Sequence, residues 1–364
     1  MYKIYDLKLF DKYVEDGLLR KAVSECGNLV QYNYTDKCVY VKHWDEVTTF
    51  NRGNVYEISS GRLIARAFPK FFNIGELDGE TQTKYLQAES YSVYEKVDGC
   101  LGLLYFFDGE WRLNSRGSFN SFASEAGNRL LEQHKPLSLD TECTYIFEIV
   151  SKDTKIILNY DIEELVLLGG YKTESGEELT DSYLDFIAEN NLFRRPDMYT
   201  YSFDELLQLQ KELDYNTEGF VVKLENGERF KVKSFEYLKI ARIKNNCTKR
   251  ALWHKMKDNE MFSLEEIQAL PDELQKEVEN YMSELVYEFN KCMNEIFNEA
   301  IYVSEEILNS NIEDVIENIS EYAPKLGKFL CGENNLKHSK VLFKVFRNQE
   351  YKKYIFDIIE PKGE

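Results

Sequence analysis

The sequence predicts an α+β protein in two parts, in which antiparallel β-sheets with flanking helices come first and an all-helical region follows. Up to about residue 240, short runs of β-branched and aromatic residues are separated by turns that contain glycine or asparagine. Beyond that point, apolar residues recur with the period of about 3.6 residues that marks a helix. A chain of 364 residues is long enough for two cores. We therefore predict one domain over 1–243 and a second over 244–364.

The first region holds the predicted strands. Residues 2–24 have the apolar spacing of a helix interrupted at Gly17. Alternating or short apolar runs predict strands over 29–34, 38–41, 54–58, 62–66, 101–107, 110–115, 145–150, 165–170, 218–223 and 229–234. Asp108-Gly109 and Asn226-Gly227 are typical of hairpin turns. Helices are predicted over 119–134, 181–190 and 203–213, with Ser202 as the N-cap of the last.

The second region shows two helix signals. Residues 263–266 read Ser-Leu-Glu-Glu, which is a capping-box sequence. The apolar residues that should share one face of a single helix are Leu274, Val278, Tyr281, Met282, Leu285, Val286, Phe289, Met293, Ile296 and Phe297.

The charge distribution is uneven. A formal net charge of -19 argues against a uniformly basic nucleic-acid binder. Between Lys325 and Lys353, however, eight lysines and arginines face only two glutamates. Within this stretch Lys337, Lys340 and Lys344 have the spacing of one helix face, which Arg347 continues. This face either contacts RNA phosphates or is a solvated face that balances neighbouring acids.

Several classes of protein are disfavoured. The seven cysteines are scattered without a C-x-x-C pair, which fits a reducing cytoplasm better than a disulfide framework. The four histidines do not have zinc-ligand spacing. No signal peptide and no apolar run of membrane-spanning length is evident, so a cytoplasmic protein without a membrane segment is expected.

A short stretch, Glu95-Lys96-Val97-Asp98-Gly99, organises the candidate site. Lys96 is predicted at the mouth of a strand, where its amine could act as a covalent nucleophile. Asp98 could orient the reacting groups, and Gly99 would let the backbone approach a nucleotide closely. The structural alternative is a strand-end lysine beside an Asp-Gly turn.

Four further charged residues fit the same site. Glu148 and Glu218 lie among apolar strand residues, where a carboxylate is costly unless it is paired or coordinates a cation. Lys231 and Lys233 alternate on one face of a strand and could point into the cleft of Lys96. For each of these residues taken singly, the alternative is a charge on an edge strand or a cross-strand ion pair. Together the four predict a nucleotide site with carboxylates for metal or ribose and cations for phosphate.

The order of five segments resembles the collinear motifs of covalent nucleotidyltransferases, the superfamily of ATP- and NAD-dependent ligases and mRNA capping enzymes. These segments are 95–99, 115–117, 146–148, 218–223 and 230–233. Within the superfamily, the chain resembles the tRNA-repairing RNA ligase 1 family of T-even bacteriophages. The resemblance rests on Arg52-Gly53, the loop 66–73, the F-K-x-K-S sequence from Phe230, and a helical region in place of an oligonucleotide-binding barrel.

The resemblance implies a nucleotidyltransferase domain with ATP-grasp-like antiparallel sheets, and a set of residue roles. Lys96 would attack ATP and form lysyl-AMP, with its pKa lowered from about 10.4 by neighbouring cations. The implied catalytic residues are Lys96, Asp98, Glu148, Glu218, Lys231 and Lys233. The implied nucleotide contacts are Arg52 and Lys70 to the β- and γ-phosphates, Arg116 and Glu148 around the AMP, and also Glu95, Lys96, Gly99, Lys231 and Lys233. Glu148 and Glu218 would bind Mg²⁺ or Mn²⁺.

The resemblance implies that the substrates are RNA 5′-phosphate and 3′-hydroxyl ends, such as those of a nicked tRNA anticodon loop. It also implies that the enzyme is a monomer and that its helical region recognises the RNA. Three alternatives stay open from the sequence. The first two are a DNA ligase and a capping-type guanylyltransferase, which the lack of predicted strands after residue 240 disfavours. The third is a catalytically inactive RNA-binding scaffold, which the presence of all the charged motif residues disfavours.

Overall fold

The structure, a computed structural model, describes residues 5–152, 162–260, 267–268 and 270–361. The chain divides into two compact units, Met1–Lys239 and Ile240–Glu364. This division falls four residues before the boundary predicted between 243 and 244. Each unit is described by itself below.

The first unit contains three four-stranded antiparallel sheets. Their strand orders are β1-β2-β3-β4, β7-β6-β8-β9 and β10-β5-β11-β12. The strands are β1 Leu19–Val23, β2 Leu29–Tyr34, β3 Arg52–Glu57, β4 Leu63–Ala65, β5 Tyr91–Glu95, β6 Cys100–Phe107, β7 Glu110–Ser115, β8 Cys143–Val150, β9 Glu164–Lys172, β10 Met198–Tyr199, β11 Gly219–Leu224 and β12 Arg229–Lys233. Nine of the ten predicted strands are thereby confirmed to within two residues at each end.

The described helices of the first unit are α1 Leu7–Glu15, α2 Asp36–Tyr40, α3 Glu46–Phe50, α4 Gly79–Leu86, α5 Phe122–Leu131, α6 Asp181–Asn191 and α7 Phe203–Glu212, with 3-10 turns at Ile74–Glu76 and Glu132–His134. Several of them, among them α1, α5, α6 and α7, pack against these sheets. Ser202 caps α7 as predicted, because its side chain accepts a hydrogen bond from the Glu205 N–H. A further helix, α8 Phe235–Asn246, follows.

The central strand β8 is buried at all eight positions, since both faces of its sheet are covered. Tyr145 and Phe147 pack in a core formed with α5 and α6. Ile146 faces the opposite way, into a core that includes Leu29 and Val55 of the first sheet. This alternation fixes the direction of Glu148, which shares the face of Ile146.

Two predictions at the N-terminal end are wrong. The helix predicted over 2–24 ends at Glu15, because Gly17 adopts a left-handed conformation with φ of 71° and the chain then enters β1. The strand predicted over 38–41 instead forms the last turn of α2 and its C-cap, Val41. Thr35 caps the start of that helix through the Cys38 N–H, and Tyr40 is 88% exposed, so no neighbouring strand covers it. A run of four apolar residues fits the period of a strand and that of a helix, and tertiary contacts decided between them.

The second unit is helical, and no strand occurs among its described residues. Its helices are α9 Lys249–Lys257, α10 Asp272–Tyr302, α11 Ile312–Glu317, α12 Ile319–Cys331, α13 Ser339–Phe346 and α14 Lys352–Ile358, with a π-helical turn at Val303–Leu308. The predicted long helix is confirmed as α10, although Val286 and Phe297 lie outside its buried stripe. The predicted capping box at 263–266 lies outside the described residues. None of the described helices combines the length and apolarity that crossing a membrane requires.

Candidate active site

A cavity of about 630 Å³ in the first unit collects most of the residues that the sequence singled out. All three sheets contribute to its wall, for example through Arg52 of β3, Glu148 of β8 and Lys231 of β12. Of the described residues, eight with basic and five with carboxylate side chains line it. The size is that of a small-molecule site. In a protein with a net charge of -19, this excess of cations indicates an anionic ligand.

The centre of the site is a carboxylate held between two lysines. Lys96 follows β5, and its backbone N–H donates to the Gly219 carbonyl. The Lys96 Nζ donates to one Glu218 oxygen at 2.6 Å, and the Lys233 Nζ lies 2.7 Å from the other. Glu218 is only 3% exposed. The two ammonium groups offset the cost of burying its charge and hold its pKa below the usual value against the effect of burial.

Gly219 makes this arrangement possible. Its φ is 130°, and a Cβ atom there would lie 2.1 Å from the Val232 carbonyl oxygen. No other residue type fits at this position without moving β11 away from β12. Gly219 therefore lets β11 and β12 pair in the register that brings Glu218 close to Lys233.

The prediction that neighbouring cations lower the pKa of Lys96 is wrong for the protein chain by itself. Burial does disfavour the ammonium form of Lys96, but Glu218, Glu148 and Asp98 outweigh burial and raise its pKa. The sequence could not show this, because it gives no distances between the cations and the carboxylates.

Among the cavity lysines of the predicted motifs, Lys231 has a lowered pKa. Burial, together with Arg52, Lys70, Lys96 and Lys233, lowers it to about 6. Its Nζ lies 4.7 Å from the centroid of the Phe71 ring. Lys231 and Lys233 do share a face of β12, as predicted, and both line the cavity.

Glu148 is a buried acid that faces the same cavity. It is 9% exposed, and burial raises its pKa to about 7, with Lys96 acting in the opposite direction. Its neighbour Gly99 is required by packing, since a Cβ there would lie 2.6 Å from the Ile149 carbonyl oxygen. Gly99 was predicted to let the backbone approach a nucleotide. In the structure it also allows close packing against the backbone of β8.

Two predicted residues of the 95–99 stretch have protein partners. Asp98 is 3% exposed, does not contribute to the cavity wall, and accepts a hydrogen bond from the Tyr237 hydroxyl at 2.9 Å. Glu95 lines the cavity, but its carboxylate forms an ion pair with Arg194 at 2.8 Å. Both residues therefore stabilise the loop that carries Lys96.

Arg52 and Arg116 lie at the cationic end of the cavity. The Nε and Nη1 atoms of Arg52 are buried without a hydrogen-bond partner, which is costly for a charged group unless a ligand accepts from it. Arg116 donates to the Tyr34 hydroxyl at 3.2 Å. Gly53 allows β3 to lie close to the backbone of Arg116, since a Cβ atom added at Gly53 would be 2.9 Å from the Arg116 carbonyl oxygen. A phosphate would satisfy the free donors of Arg52.

Lys70, which the sequence predicts as a phosphate contact together with Arg52, is not among the described residues of the cavity wall. Its Nζ lies 5.6, 5.2 and 4.9 Å from the ring centroids of Tyr34, Trp44 and Phe72. Burial and the nearby cation Arg52 lower its pKa, against the effect of Tyr34. The sequence analysis did not predict this cation–π cage. The interleaved basic and aromatic residues of the loop 66–73 are the pattern that could have indicated it.

The cavity wall also carries a balanced cluster of charges that the sequence did not predict. Glu178 forms ion pairs with Lys223, at 2.7 Å, and with Arg229. Asp181 also pairs with Lys223, at 3.5 Å. Lys223 stood in a predicted motif, but its partners are far away in sequence, so only the fold reveals the cluster.

The carboxylates near Lys96 fit a metal that arrives with phosphates rather than a preformed metal site. No cluster of three or more potential ligands from His, Cys, Asp and Glu occurs in the parts of the chain that the structure describes. Glu148 and Glu218 do face the same cavity. One or two carboxylates, completed by phosphates and water, are a typical donor set for Mg²⁺.

The predicted RNA-binding face in the second unit is smaller than expected. Lys337 precedes α13, and its Nζ forms an ion pair with Glu295 at 2.5 Å, so it does not extend the helix face. Lys340 and Lys344 are exposed on α13 one turn apart, and the exposed Arg347 follows at the C-cap.

Comparisons with known proteins agree on one family. A family model described as RNA ligase matches residues 48–240. A candidate RNA ligase of Thermovibrio ammonificans is 30% identical over 229 residues, which are 58% of this chain and 57% of the relative. A candidate bifunctional polynucleotide kinase/RNA ligase of Autographa californica nuclear polyhedrosis virus is 29% identical over 57% of this chain and 34% of its own. The chain thus spans about half or less of these two relatives.

A third relative extends the likeness along the chain. An RNA ligase of Rhodothermus phage RM378 is 24% identical over 70% of this chain and 73% of its own. An archaeal ATP-dependent RNA ligase structure covers 76% of this chain and 75% of its own, with a TM-score of 0.47 and 12% identity. The family model alone covers more than half of the 364 residues. The chain therefore belongs to the RNA ligase family of the phage T4 RNA ligase 1 type.

Proposed function

We propose that this protein is an ATP-dependent RNA ligase that joins RNA 5′-phosphate and 3′-hydroxyl ends through a lysyl-AMP intermediate. The observation that carries the proposal is the placement of Lys96. Its amine contacts a buried carboxylate at 2.6 Å in a cation-rich cavity, which also contains the unsatisfied donors of Arg52. A nucleophilic lysine beside phosphate-binding groups is the arrangement that nucleotidyl transfer requires.

In the first step the amine of Lys96 attacks the α-phosphorus of ATP. Because the pKa of Lys96 is raised, the amine must first lose a proton, and Glu218 already accepts its hydrogen bond. The N–P bond forms as the bond from the α-phosphorus to the bridging oxygen breaks, and pyrophosphate leaves. Mg²⁺ or Mn²⁺, held by Glu148 and Glu218 with the phosphates, would supply charge stabilisation. Arg52, Lys231 and Lys233 would hold phosphate oxygens.

The later steps transfer AMP to RNA. The RNA 5′-phosphate attacks the phosphorus of lysyl-AMP, Lys96 leaves, and a 5′-adenylylated RNA end forms. The 3′-hydroxyl then attacks the 5′-phosphorus, closes the phosphodiester and releases AMP. Asp98 would act in these steps through the loop it stabilises. A nicked tRNA anticodon loop is the proposed substrate, with the helical unit contacting it.

The direct test is mass spectrometry of the protein after incubation with ATP and Mg²⁺. We expect a mass increase of one AMP, located at Lys96 by peptide mapping. Incubation with GTP serves as the control, because a guanylyltransferase would form a GMP adduct instead. An adduct with GTP alone, or no adduct with either nucleotide, would contradict the proposal.

We predict that Arg52→Ala slows reaction with ATP much more than the sealing of RNA that already carries a 5′-adenylate. The loss of its charge-assisted hydrogen bonds should cost roughly tenfold to a hundredfold in adduct formation. Lys70→Ala should show the same step selectivity. Single-turnover rates of both reactions are compared, with the exposed Lys172→Ala as control. Equal losses in both reactions would contradict this division of roles.

We also predict that replacing Lys340, Lys344 and Arg347 together by Gln weakens RNA binding and reduces its salt dependence. Fewer counterions are released when fewer cations contact phosphates. Binding of a nicked tRNA is measured over a range of salt concentrations. The matched control replaces Lys84, Lys135 and Lys172, which are exposed lysines of the first unit with carboxylate partners. A salt slope equal to that of the wild type would show that the α13 cations are only surface residues.

A further inference from the structure

We propose that Arg20 forms an outer phosphate-binding subsite of the cavity, an inference that rests on the proposed function. Arg20 did not stand in any predicted motif, yet its side chain lines the same cavity as Lys96 and Arg52. It is exposed, whereas the guanidinium donors of Arg52 are buried, so Arg20 lies towards the solvent side of the site.

The strand register places Arg20 and Arg52 in one row across the first sheet. Arg20 of β1 is directly opposite Asn33 of β2, and Asn33 is opposite Arg52 of β3. Directly opposite residues of antiparallel strands point to the same face, so the two arginines share a face two strands apart, a span of about 10 Å. Asn33 between them is buried, and its Oδ1 has no hydrogen-bond partner.

The loop after β7 provides the surface on which Arg20 rests. A Cβ atom on Gly117 would lie 2.5 Å from the Arg20 Nη2, so the guanidinium lies against the backbone of Gly117. Gln31 connects this loop to the first sheet, because its Nε2 donates to the carbonyls of Gly53 and Ser115. The fold therefore fixes the backbone position of Arg20 relative to Arg116 and Arg52, and its guanidinium rests on Gly117.

The charge around Arg20 indicates its ligand. No carboxylate of the described residues lies within ion-pair distance of Arg20, and the same holds for Arg52 and Arg116. In contrast, Glu178, Asp181 and Glu218 of the same cavity all have cationic partners. Three arginines without an ion-pair partner among the described residues, close together in a nucleotide cavity, are suited to phosphate. The ligand is either the terminal phosphate of ATP or a phosphate of the RNA strand.

The test compares Arg20→Gln with Lys21→Gln, which removes the same charge from the next residue. Lys21 points to the opposite face of β1 and pairs with Asp11 at 2.9 Å. One measurement is the ATP concentration dependence of adduct formation, and the other is the sealing of pre-adenylylated RNA at several salt concentrations. We expect Arg20→Gln to lose roughly tenfold in one of them. A loss with ATP identifies its terminal phosphate as the ligand, and a loss with RNA identifies the strand phosphate.

A second variant tests the contact itself. In Gly117→Ala the new methyl group should displace the end of the flexible Arg20 side chain without disturbing the backbone. We expect Gly117→Ala to lose part of the activity that Arg20→Gln loses. The double variant should lose no more than Arg20→Gln alone, because both changes remove the same interaction. Thermal unfolding of all variants checks that they fold.

The inference is overturned if Arg20→Gln matches the wild type in both measurements, if Lys21→Gln loses as much, or if the losses of Arg20→Gln and Gly117→Ala simply add. Failure of the proposed function would look different, since the wild type itself would then form no adduct with ATP.

Discussion

Replacing Lys96 by Ala is expected to abolish the AMP adduct and the sealing of RNA that carries a 5′-phosphate. Lys96 lines the cavity and donates to the buried Glu218 carboxylate at 2.6 Å, and of the lysines that line the cavity it is the one that lies in the stretch 95–99. Without a nucleophile the covalent route is lost, and the rate of adduct formation should fall by roughly 10⁴-fold or more. Adduct formation is measured with radiolabelled ATP and by intact mass.

The control for this variant is RNA that already carries a 5′-adenylate. Its sealing bypasses lysyl-AMP, so Lys96→Ala should retain much more of this activity than of the full reaction. Lys96→Arg keeps the charge beside Glu218 without a competent nucleophile, and we expect it to fold normally and form no adduct. An AMP adduct on Lys96→Ala would show that another residue is the nucleophile.

The second large effect is expected for Glu218→Gln, which keeps the shape of the side chain and removes its charge. Lys96 and Lys233 would then share a buried site without their common carboxylate. We expect adduct formation to slow by about 10²- to 10³-fold, because both the orientation of Lys96 and the proposed metal contact are lost. The free energy of unfolding should fall by about 3 kcal/mol, as for other buried ion pairs that lose one partner.

A matched control separates the catalytic loss from the loss of stability. Glu164→Gln removes one carboxylate partner of Arg194 and lies outside the cavity. It should lower stability without slowing adduct formation. Chemical denaturation and single-turnover adenylylation are measured on both variants. Glu218→Gln with a wild-type rate of adduct formation would assign Glu218 a purely structural role.

The pKa values of Lys96 and Lys231 show what a linear motif conveys. The spacing of Lys96, Lys231 and Lys233 correctly placed three lysines in one cavity. It assigned the lowered pKa to Lys96, whereas Lys231 has it. The difference depends on carboxylates: Glu218 contacts Lys96, while the charged groups that act most strongly on Lys231 are basic side chains. A pKa depends on distances of a few ångströms, which motif order does not contain.

The two regions, most strands and the motif residues of the site follow from the amino-acid order, because two-residue and 3.6-residue periods and short motifs are local properties. Other features depend on the tertiary structure. It made 38–40 helical, placed Lys70 in a cage with Trp44, and paired Lys337 with Glu295. It also brought Arg20 into the row of Arg52. These outcomes depend on contacts between residues far apart in the chain, and such contacts form only when strands and helices pack.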